Sequence, residues 1–525
     1  MAIRKSSNSG IPFGNTAGRP TNPVIGQTYY NGQVEALEIY NGTTWKVSKS
    51  EGFPPDTPTI SSVTDSSTSL AYSSTAGTLD VLFVPAGTGG TATQYNALTT
   101  AGGHSGFTTV GSTVTITGLT PGTAYTVYGN AQNGSGTSTN AANAAAVTPT
   151  TLPQSPTIGT ATLSGTDAIV TWTLGNNGAK SLSSITITPY IGLTAQSPVN
   201  AASTSSTSHT FTGITGGSTY TFKVKATNAN GTSLESAASS SVFVPGYVTF
   251  DYLVVGGGGG GGGSHNSAGG GAGGLRSTVT NTGGGGTLET AVSVLQGTVL
   301  TISVGAGGAQ SGDGSGAGIG FPGNNSYISG AGITTITSLG GGNGGSSGVE
   351  PTGVFGSGGG NSGYTTSTPN NATAGQGFRG GAGGNYGAGG GGGAGQVGGN
   401  GTSTEGGVGG NGVSVAITGA AVTYAGGGGG ADYTGSGGNA GGAGGGGLGG
   451  GGNSSSSLPI PTAGTANLGG GGGGNNNYGS HRFGMAGGSG IVVIKLAAAA
   501  ASTTGSPVNP STGVYVFNNN GTLTV

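Results

Sequence analysis

Aromatic and amide side chains recur where the long glycine tracts of this 525-residue chain are interrupted. A flat ring offers an apolar face for stacking, and an amide offers a donor and an acceptor to hydroxyl groups. Together these groups have the chemistry of sugar recognition. The candidate binding residues at the interruptions are Tyr327, Phe355, Tyr364, Phe378, Arg379, Tyr386, Tyr433, Tyr478, His481, Arg482 and Phe483.

Other site chemistries have no comparable support in the sequence. The many G-x-G-x-x-G matches follow from glycine density alone, and no Gly-Lys-Ser/Thr motif follows any of them. The histidines are isolated and lack a second ligand at metal spacing. The carboxylates of Glu350, Glu405 and Asp432 are too scattered to form a glycosidase pair. We therefore expect no enzyme activity, no metal and no cofactor.

Composition excludes several classes of protein. Charged residues make up 5% of the chain and the net charge is −2, so a nucleic-acid binder, which needs a basic patch, is excluded. There is no cysteine for disulfides or thiolate metal sites. The longest apolar run, 491–501, is interrupted by Lys495 and is shorter than the roughly 20 residues of a membrane span. The N-terminus is polar and predicts no secretory signal.

The glycine tracts must position the candidate residues, and they hold most of the 126 glycines. Each ordered glycine loses more backbone entropy than any other residue, so ordinary helices and sheets are disfavoured. Extended glycine adopts a three-fold helix without internal hydrogen bonds. Inside a domain its N–H and C=O groups then need partners on neighbouring tracts, which the lack of Cβ allows to approach closely. We expect packed polyglycine II helices with the other residues expelled to the turns.

Short apolar segments among the tracts predict β-strands at the base and edges of this domain, which we place at 246–525. The C-terminal segment 513–525 is predicted to form a hairpin with an Asn-Gly turn. A disordered linker has no reason to contain so many β-branched runs, which argues against a disordered elastomer. The other predicted strands are 247–255, 291–295, 298–304, 333–337, 413–417 and 491–494.

Two all-β sandwiches are predicted before this domain, at 56–150 and 153–245, from short β-branched runs separated by turn residues. They form an internal repeat in which Leu-Thr-Pro-Gly-Thr-Ala-Tyr125 aligns with Ile-Thr-Gly-Gly-Ser-Thr-Tyr220. These segments resemble fibronectin type III domains. The resemblance implies core aromatics at Phe83 and Trp172 and tyrosine corners at Tyr125 and Tyr220. Such modules usually act as spacers.

Residues 1–50 predict a small β-module of two short strands with Asn-Gly turns, followed by a linker at 46–56. The module is too small to bury a sizeable core alone. Its Arg-Pro…Leu-Glu-Ile-Tyr-Asn-Gly…Trp pattern resembles attachment modules of phage fibre proteins, and a plain β-cap on the next domain is the alternative. The resemblance implies anchoring to other virion proteins.

The strand 252–255 with its following glycines, the segment 299–308 and the closing Gly-Gly-Ser-Gly-Ile-Val-Val-Ile494 resemble glycine-rich domains of bacteriophage tail-fibre and receptor-binding proteins. The resemblance implies an all-β, non-enzymatic, trimeric virion tail fibre. Its exposed loops would bind a host-surface glycan or outer-membrane component, without nucleic acid or membrane insertion. The alternative is a capsid decoration or head fibre protein on the capsid surface.

Overall fold

The computed structural model describes residues 13–525 except 15, 26, 34–35, 41, 48–52, 313–317, 370–371, 434–437, 453–458 and 477–482. Within these residues every regular element is a β-strand, apart from one 3-10 turn at Thr16–Gly18. The predicted all-β fold is confirmed. The chain divides into two compact units, Met1–Val244 and Pro245–Val525.

The N-terminal module of the first unit is a four-stranded sheet in the order β1-β2-β3-β4. It has more strands than the two that the sequence predicts. The buried carboxylate of Glu38 accepts hydrogen bonds from Arg19 and from the amide of Asn31, so polar pairing supplements its small core. The strands are β1 (Phe13–Gly14), β2 (Thr28–Asn31), β3 (Ala36–Tyr40) and β4 (Trp45–Val47).

The first sandwich packs a three-stranded sheet, β5-β6-β9, on a four-stranded sheet, β11-β10-β7-β8. Its core is formed by alternate residues of these strands, as in β6, where every second side chain is buried. The strands are β5 (Thr59–Asp65), β6 (Gly77–Val84), β7 (Gln94–Thr99), β8 (Ser105–Thr108), β9 (Thr113–Leu119), β10 (Val127–Asn133) and β11 (Gly136–Thr137).

The second sandwich repeats this arrangement with sheets β12-β13-β17 and β15-β14-β18-β19, and β16 and β20 extend the latter. Its strands are β12 (Thr157–Ser164), β13 (Asp167–Thr173), β14 (Leu182–Ile191), β15 (Thr194–Ala195), β16 (Val199–Asn200), β17 (Ser208–Phe211), β18 (Ser218–Asn228), β19 (Gly231–Thr232) and β20 (Val242–Val244).

The four predicted core residues occupy equivalent places in the two sandwiches. Phe83 on β6 and Trp172 on β13 are buried, and Phe83 stacks on Tyr95 with ring centroids 5.5 Å apart. The hydroxyl of Tyr125 accepts a bond from the Thr120 N–H, and that of Tyr220 donates to the Thr215 carbonyl, both at 3.0 Å. Each tyrosine hydroxyl therefore bonds to the backbone five residues upstream, as expected of a tyrosine corner.

The internal repeat also places an asparagine at the equivalent position of each sandwich. The amide of Asn133 donates to the carbonyl of Phe53 at 2.7 Å, and that of Asn228 donates to the carbonyl of Thr151 at 2.9 Å. Each amide thereby ties a strand end to the segment that enters its own sandwich. The end of the predicted linker 46–56 therefore belongs to the first sandwich.

The base of the second unit consists of two five-stranded sheets with a shared apolar core. One contains β22-β21-β29-β31 with β23 beside β21, and the other is β26-β25-β24-β32-β30. The strands of these sheets are β21 (Tyr247–Val255), β22 (Leu275–Ser277), β23 (Val292–Leu295), β24 (Val299–Ser303), β25 (Ser326–Gly330), β26 (Ile336–Ser338), β29 (Ile491–Leu496), β30 (Ser502–Thr503), β31 (Val514–Phe517) and β32 (Gly521–Thr524). A separate two-stranded sheet pairs β27 (Val413–Val415) with β28 (Val422–Tyr424).

The sequence-predicted C-terminal hairpin is wrong. β31 pairs with β29 in one sheet and β32 pairs with β24 in the other, so the two strands do not pair with each other. Apolar residues on both strands, including Phe517 and Leu523, are buried between the sheets. Because the two strands lie in different sheets, the buried side chains of both strands face one core between the sheets. In a flat hairpin both strands would lie in the same sheet.

The glycine tracts form the predicted polyglycine lattice, inserted between β21 and β29. In tract 256–263 the N–H groups of every third residue point to the same neighbour: 256, 259 and 262 to tract 268–274, and 257, 260 and 263 to tract 318–324. This period of three is that of a polyproline II-type helix. A Cβ on Gly259 would collide with the carbonyl of Gly342. The lattice therefore replaces a hydrophobic core by hydrogen bonds between tracts.

Candidate functional site

Antiparallel hydrogen bonding gives the lattice two opposite ends. Tract 256–263 leaves the base sheets, turns at 264–267 and returns, because Gly256 bonds to Gly274 and Gly262 to Ala268. We call the end beside the base sheets the near face and the end with turn 264–267 the far face. The described turns on the far face are 264–267, 346–349, 364–369, 385–386 and 402–405.

Three of the predicted tyrosines meet on the far face, which we name the tyrosine cluster: Tyr364, Tyr386 and Tyr433. The rings of Tyr386 and Tyr433 are stacked, with centroids 4.5 Å apart and planes at 25°. Tyr364 meets Tyr386 edge-on at 6.3 Å. Tyr364 is 52% exposed and Tyr386 is 44% exposed. Residues from three separate tracts therefore present one exposed aromatic surface.

The backbone under the tyrosine cluster is fixed by a buried carboxylate. Asp432 is 2% exposed, and it accepts hydrogen bonds from the Gly406 N–H at 2.6 Å and from the amide of Asn439. Its own carbonyl accepts from the amide of Asn476 at 2.6 Å. The next residue, Tyr433, donates its N–H to the carbonyl of Thr404 at 3.0 Å. Three chain segments, 404–406, Asn439 and Asn476, thus hold the backbone at Asp432 and Tyr433. The isolated position of Asp432 in the sequence does not suggest this role.

The turn that carries Tyr386 is equally constrained. Asn385 has a φ of 68°, in the left-handed region that asparagine tolerates better than most residues. The Gly384 N–H donates to the Gly387 carbonyl at 2.9 Å and closes this tight turn. A tight turn leaves the tyrosine ring little freedom to move away from its neighbours, so the cluster is preorganised.

A buried amide lies beneath the cluster. Asn266 is 1% exposed, and among the described residues neither its side-chain oxygen nor its side-chain nitrogen has a hydrogen-bond partner. Its carbonyl accepts from the Gly363 N–H, the residue before Tyr364, at 2.9 Å. Buried polar atoms normally have partners, so this amide is unusual in the turn that supports the aromatic surface. The sequence pattern did not predict a role for Asn266.

Four predicted site residues lie away from the tyrosine cluster, and one of them, Tyr327, lies in a strand instead of the predicted loop. Tyr327 is in β25, because the alternation of Ser326, Tyr327 and Ile328 suits a strand with Ser326 and Ile328 buried. Phe355 and Phe378 are half-buried at the near face, where Phe378 bonds to the carbonyl of Gly393 and Phe355 precedes a tract that begins beside Gly340. Arg379 follows Phe378 and is exposed at the same face.

The last group of predicted residues lies at 478–483. Tyr478, His481 and Arg482 lie outside the described residues, whereas Phe483 is described and half-buried at the start of tract 483–490. Within the described residues no group of three or more His, Cys, Asp or Glu could hold a metal ion. In the same part of the chain, none of the helices has the length and apolarity to cross a membrane.

Comparisons with known proteins concern the domains rather than the far face. Residues 232–497 match a family model described as a glycine-rich domain, and residues 153–242 match the fibronectin type III domain. No curated protein matches the chain. Fibronectin type III domains are typically non-catalytic structural or binding modules.

Two of the similar solved structures contain tandem domains. The chicken CNTN1 FN1–FN3 domains are 12% identical, over 38% of this chain and 80% of that chain, with a TM-score of 0.24. Domains A168–A170 of titin are 13% identical, over 40% of this chain and 75% of that chain, with a TM-score of 0.20. Neither superposition is close enough to inform the fold or the function.

Proposed function

The chain belongs to the glycine-rich domain family, whose model covers slightly more than half of it, and from this premise we propose that it recognises carbohydrate on a host-cell surface through the far face. The observation that supports this function is the tyrosine cluster. Three aromatic rings from different tracts share one exposed surface. We propose a virion tail fibre as the location.

A sugar ring suits this surface because it has an apolar face and a hydroxyl edge. The exposed parts of Tyr364 and Tyr386 offer stacking area, while the tyrosine hydroxyls and nearby amides offer hydrogen bonds. The stacked pair reduces the entropy lost on binding, because Tyr386 is already held by Tyr433. A shallow aromatic surface of this kind binds one ligand weakly.

Weak sites become effective when many act together. Linking several far faces on one particle raises avidity by about 10²–10⁴-fold without new contacts. In this proposal the chain forms a homotrimer, and the N-terminal module, with its Arg19–Glu38 ion pair, contacts other virion proteins. The two sandwiches act as spacers. The partner on the host is a surface glycan or a glycan-bearing outer-membrane component.

The first prediction tests the tyrosine cluster with the full chain. Tyr386→Ala removes the ring that contacts both other tyrosines, so adsorption of the purified chain to host cells should fall at least about tenfold, the equivalent of roughly 1.4 kcal/mol. The measurement is a cell-binding isotherm with fluorescently labelled protein. Thermal unfolding should change little, because the side chain is 44% exposed.

Tyr247 provides the matched control for this experiment. It is 71% exposed in the same unit but lies on β21 in the base, so Tyr247→Ala should leave adsorption unchanged. Equal adsorption of the Tyr386→Ala variant and the parent would contradict the proposal. Antibody labelling of intact particles at the capsid shell instead of a fibre tip would favour the capsid decoration alternative.

A further inference from the structure

A second candidate site is a cavity of about 610 Å³ at the near face of the lattice. This volume lies within the roughly 300–1,000 Å³ typical of small-molecule sites. It is also far larger than the about 30 Å³ that one water occupies. We name it the asparagine cavity, because its lining is residues 304–306, Asn467, Ser489, Asn518, Asn519 and Asn520.

Four distant parts of the chain build the asparagine cavity. Residues 304–306 continue from β24, Asn467 lies in a near-face turn, Ser489 ends the last tract, and 518–520 connect β31 to β32. The C-terminal connection 518–520 therefore lines a candidate site as well as joining the two sheets. No sequence motif joins these segments, which explains why the sequence does not predict the cavity.

Hydrogen bonds fix the orientation of two of the amides. The side-chain oxygen of Asn520 accepts from the Val304 N–H at 2.8 Å. The side-chain oxygen of Asn467 accepts from the Ser489 hydroxyl at 3.0 Å, and that hydroxyl accepts from the Asn467 N–H at 2.9 Å. Each amide therefore uses its oxygen within the protein. Within the described part of the chain their NH₂ groups have no acceptor, so both remain available as donors.

The third amide supplies the complementary group. The side-chain oxygen of Asn518 is buried and has no hydrogen-bond partner among the described residues. A buried acceptor without a partner costs free energy unless a ligand or water donates to it. The cavity wall thus combines amide donors with one unused acceptor, which a rotation of the Asn518 side chain would open to the cavity. The backbone from Val304 to Ala306 adds small apolar groups.

We propose that the asparagine cavity binds one neutral saccharide unit. A sugar hydroxyl can donate to the oxygen of Asn518 while its own oxygen accepts from the NH₂ of Asn467 or Asn520. None of the described lining residues is charged, so they offer no charge to compensate a phosphate or carboxylate. An apolar ligand would leave the acceptor of Asn518 without a donor. This site is separate from the tyrosine cluster and does not depend on the proposed function.

The test uses the full chain and a panel of neutral monosaccharides: glucose, galactose, mannose and N-acetylglucosamine. Saturation-transfer NMR and calorimetry should show saturable binding of at least one of them in the millimolar range or tighter. Asn518→Ala removes the unused acceptor and should weaken that binding about tenfold, the ordinary effect of losing one hydrogen bond in a site.

A second variant guards against misfolding of the C-terminal connection. Asn467 has a φ of 63°, which glycine adopts freely, so Asn467→Gly removes the amide without backbone strain. It should also weaken binding. The matched control is Asn385→Gly on the far face, with a φ of 68°, which should leave binding to the cavity unchanged.

Three results would overturn the inference: no saccharide of the panel saturates the parent chain, both cavity variants bind as well as the parent, or crystals soaked with the panel show only water in the cavity. The two proposals separate cleanly. Asn518→Ala should leave host-cell adsorption unchanged, and Tyr386→Ala should leave saccharide binding to the cavity unchanged.

Discussion

At the scale of residues, the tract positions require glycine because there is no room for a Cβ, more than because of their φ angles. The glycines with positive φ lie mostly in turns, whereas the glycines inside tracts are needed because carbonyls of neighbouring tracts occupy the place of a Cβ. Gly259 shows this, since it donates to Gly271 and accepts from Gly472 while the carbonyl of Gly342 lies against its Cα. No rotamer choice relieves such a contact, because the atom that collides is backbone.

The second prediction follows from this geometry. Gly259→Ala should lower the free energy of unfolding of the second unit by about 1–3 kcal/mol, as overpacking of a dense interior does. The hydrogen-bonded neighbours prevent the lattice from expanding locally. Denaturant unfolding checks the free energy, and hydrogen exchange of residues 256–263 reports the local opening.

Gly312 is the matched control for the lattice. It has no positive φ, and a Cβ added there would meet no atom of the described residues within 4 Å. Gly312→Ala should therefore change the free energy of unfolding by less than about 0.5 kcal/mol. If both alanine variants were equally stable, close packing of the tracts would not be what selects glycine.

At the scale of elements, Asp65 at the end of β5 joins the first sandwich to the segment that enters the second. Its carboxylate accepts from the N–H and hydroxyl of Thr150, at 2.8 and 2.7 Å, and from the N–H and hydroxyl of Ser67. Asn230 of the second sandwich donates to the hydroxyl of Thr150 at 2.9 Å. One carboxylate thus supports a hydrogen-bonded junction between two sandwiches.

The third prediction concerns the pH dependence of this junction. Burial by itself raises the pKa of Asp65, but the hydrogen bonds from Ser67 and Thr150 outweigh it and hold the pKa below its ordinary value of 3.8. A carboxyl group with a lowered folded pKa stabilises the fold above its unfolded pKa. That contribution should be lost as the pH falls from about 4 through the folded pKa.

Urea unfolding of the first unit between neutral and acidic pH measures this effect. The Asp65→Asn variant should be less stable at pH 7, and its stability should fall less steeply below about pH 4. Glu38, whose pKa is also lowered, remains in both proteins, so the difference between the two curves isolates Asp65. Parallel curves would show that Asp65 does not contribute.

At the scale of the whole molecule, the second unit depends on contacts between its distant ends. Val255 pairs with Ile491 across the entire lattice, and Leu300 pairs with Leu523 near the C-terminus. These pairings close the base, and the tracts are inserted between its strands β21 and β29. The last strand is therefore part of the domain core and not an appendage.

The fourth prediction compares neighbouring residues of β32. Leu523→Ala should destabilise the second unit by about 2–5 kcal/mol, because the side chain is fully buried between the two sheets. Thr524→Ala, on the opposite side of the same strand, should cost less than about 1 kcal/mol. Thermal unfolding checks both, and a similar small effect of the two substitutions would show that β32 is dispensable.

The sequence alone determined what is periodic or local. Alternating apolar residues predicted the strands and sandwich cores, the repeat predicted Tyr125 and Tyr220 as corners, and glycine blocks closed by Val255 and Ile491 predicted a folded lattice. These features depend on side-chain type and short spacing, which are visible in the chain itself.

Only the tertiary structure decided which interruptions share a face and which strands share a sheet. Every tract glycine has the same N–H and C=O groups and no side chain, so glycine blocks contain no information about which tract lies beside which. For that reason the sequence could not separate Tyr386 on the far face from Phe378 on the near face, nor place 518–520 beside Asn467. Hydrogen-bond partners across the lattice, set by tract length and turns, made those choices.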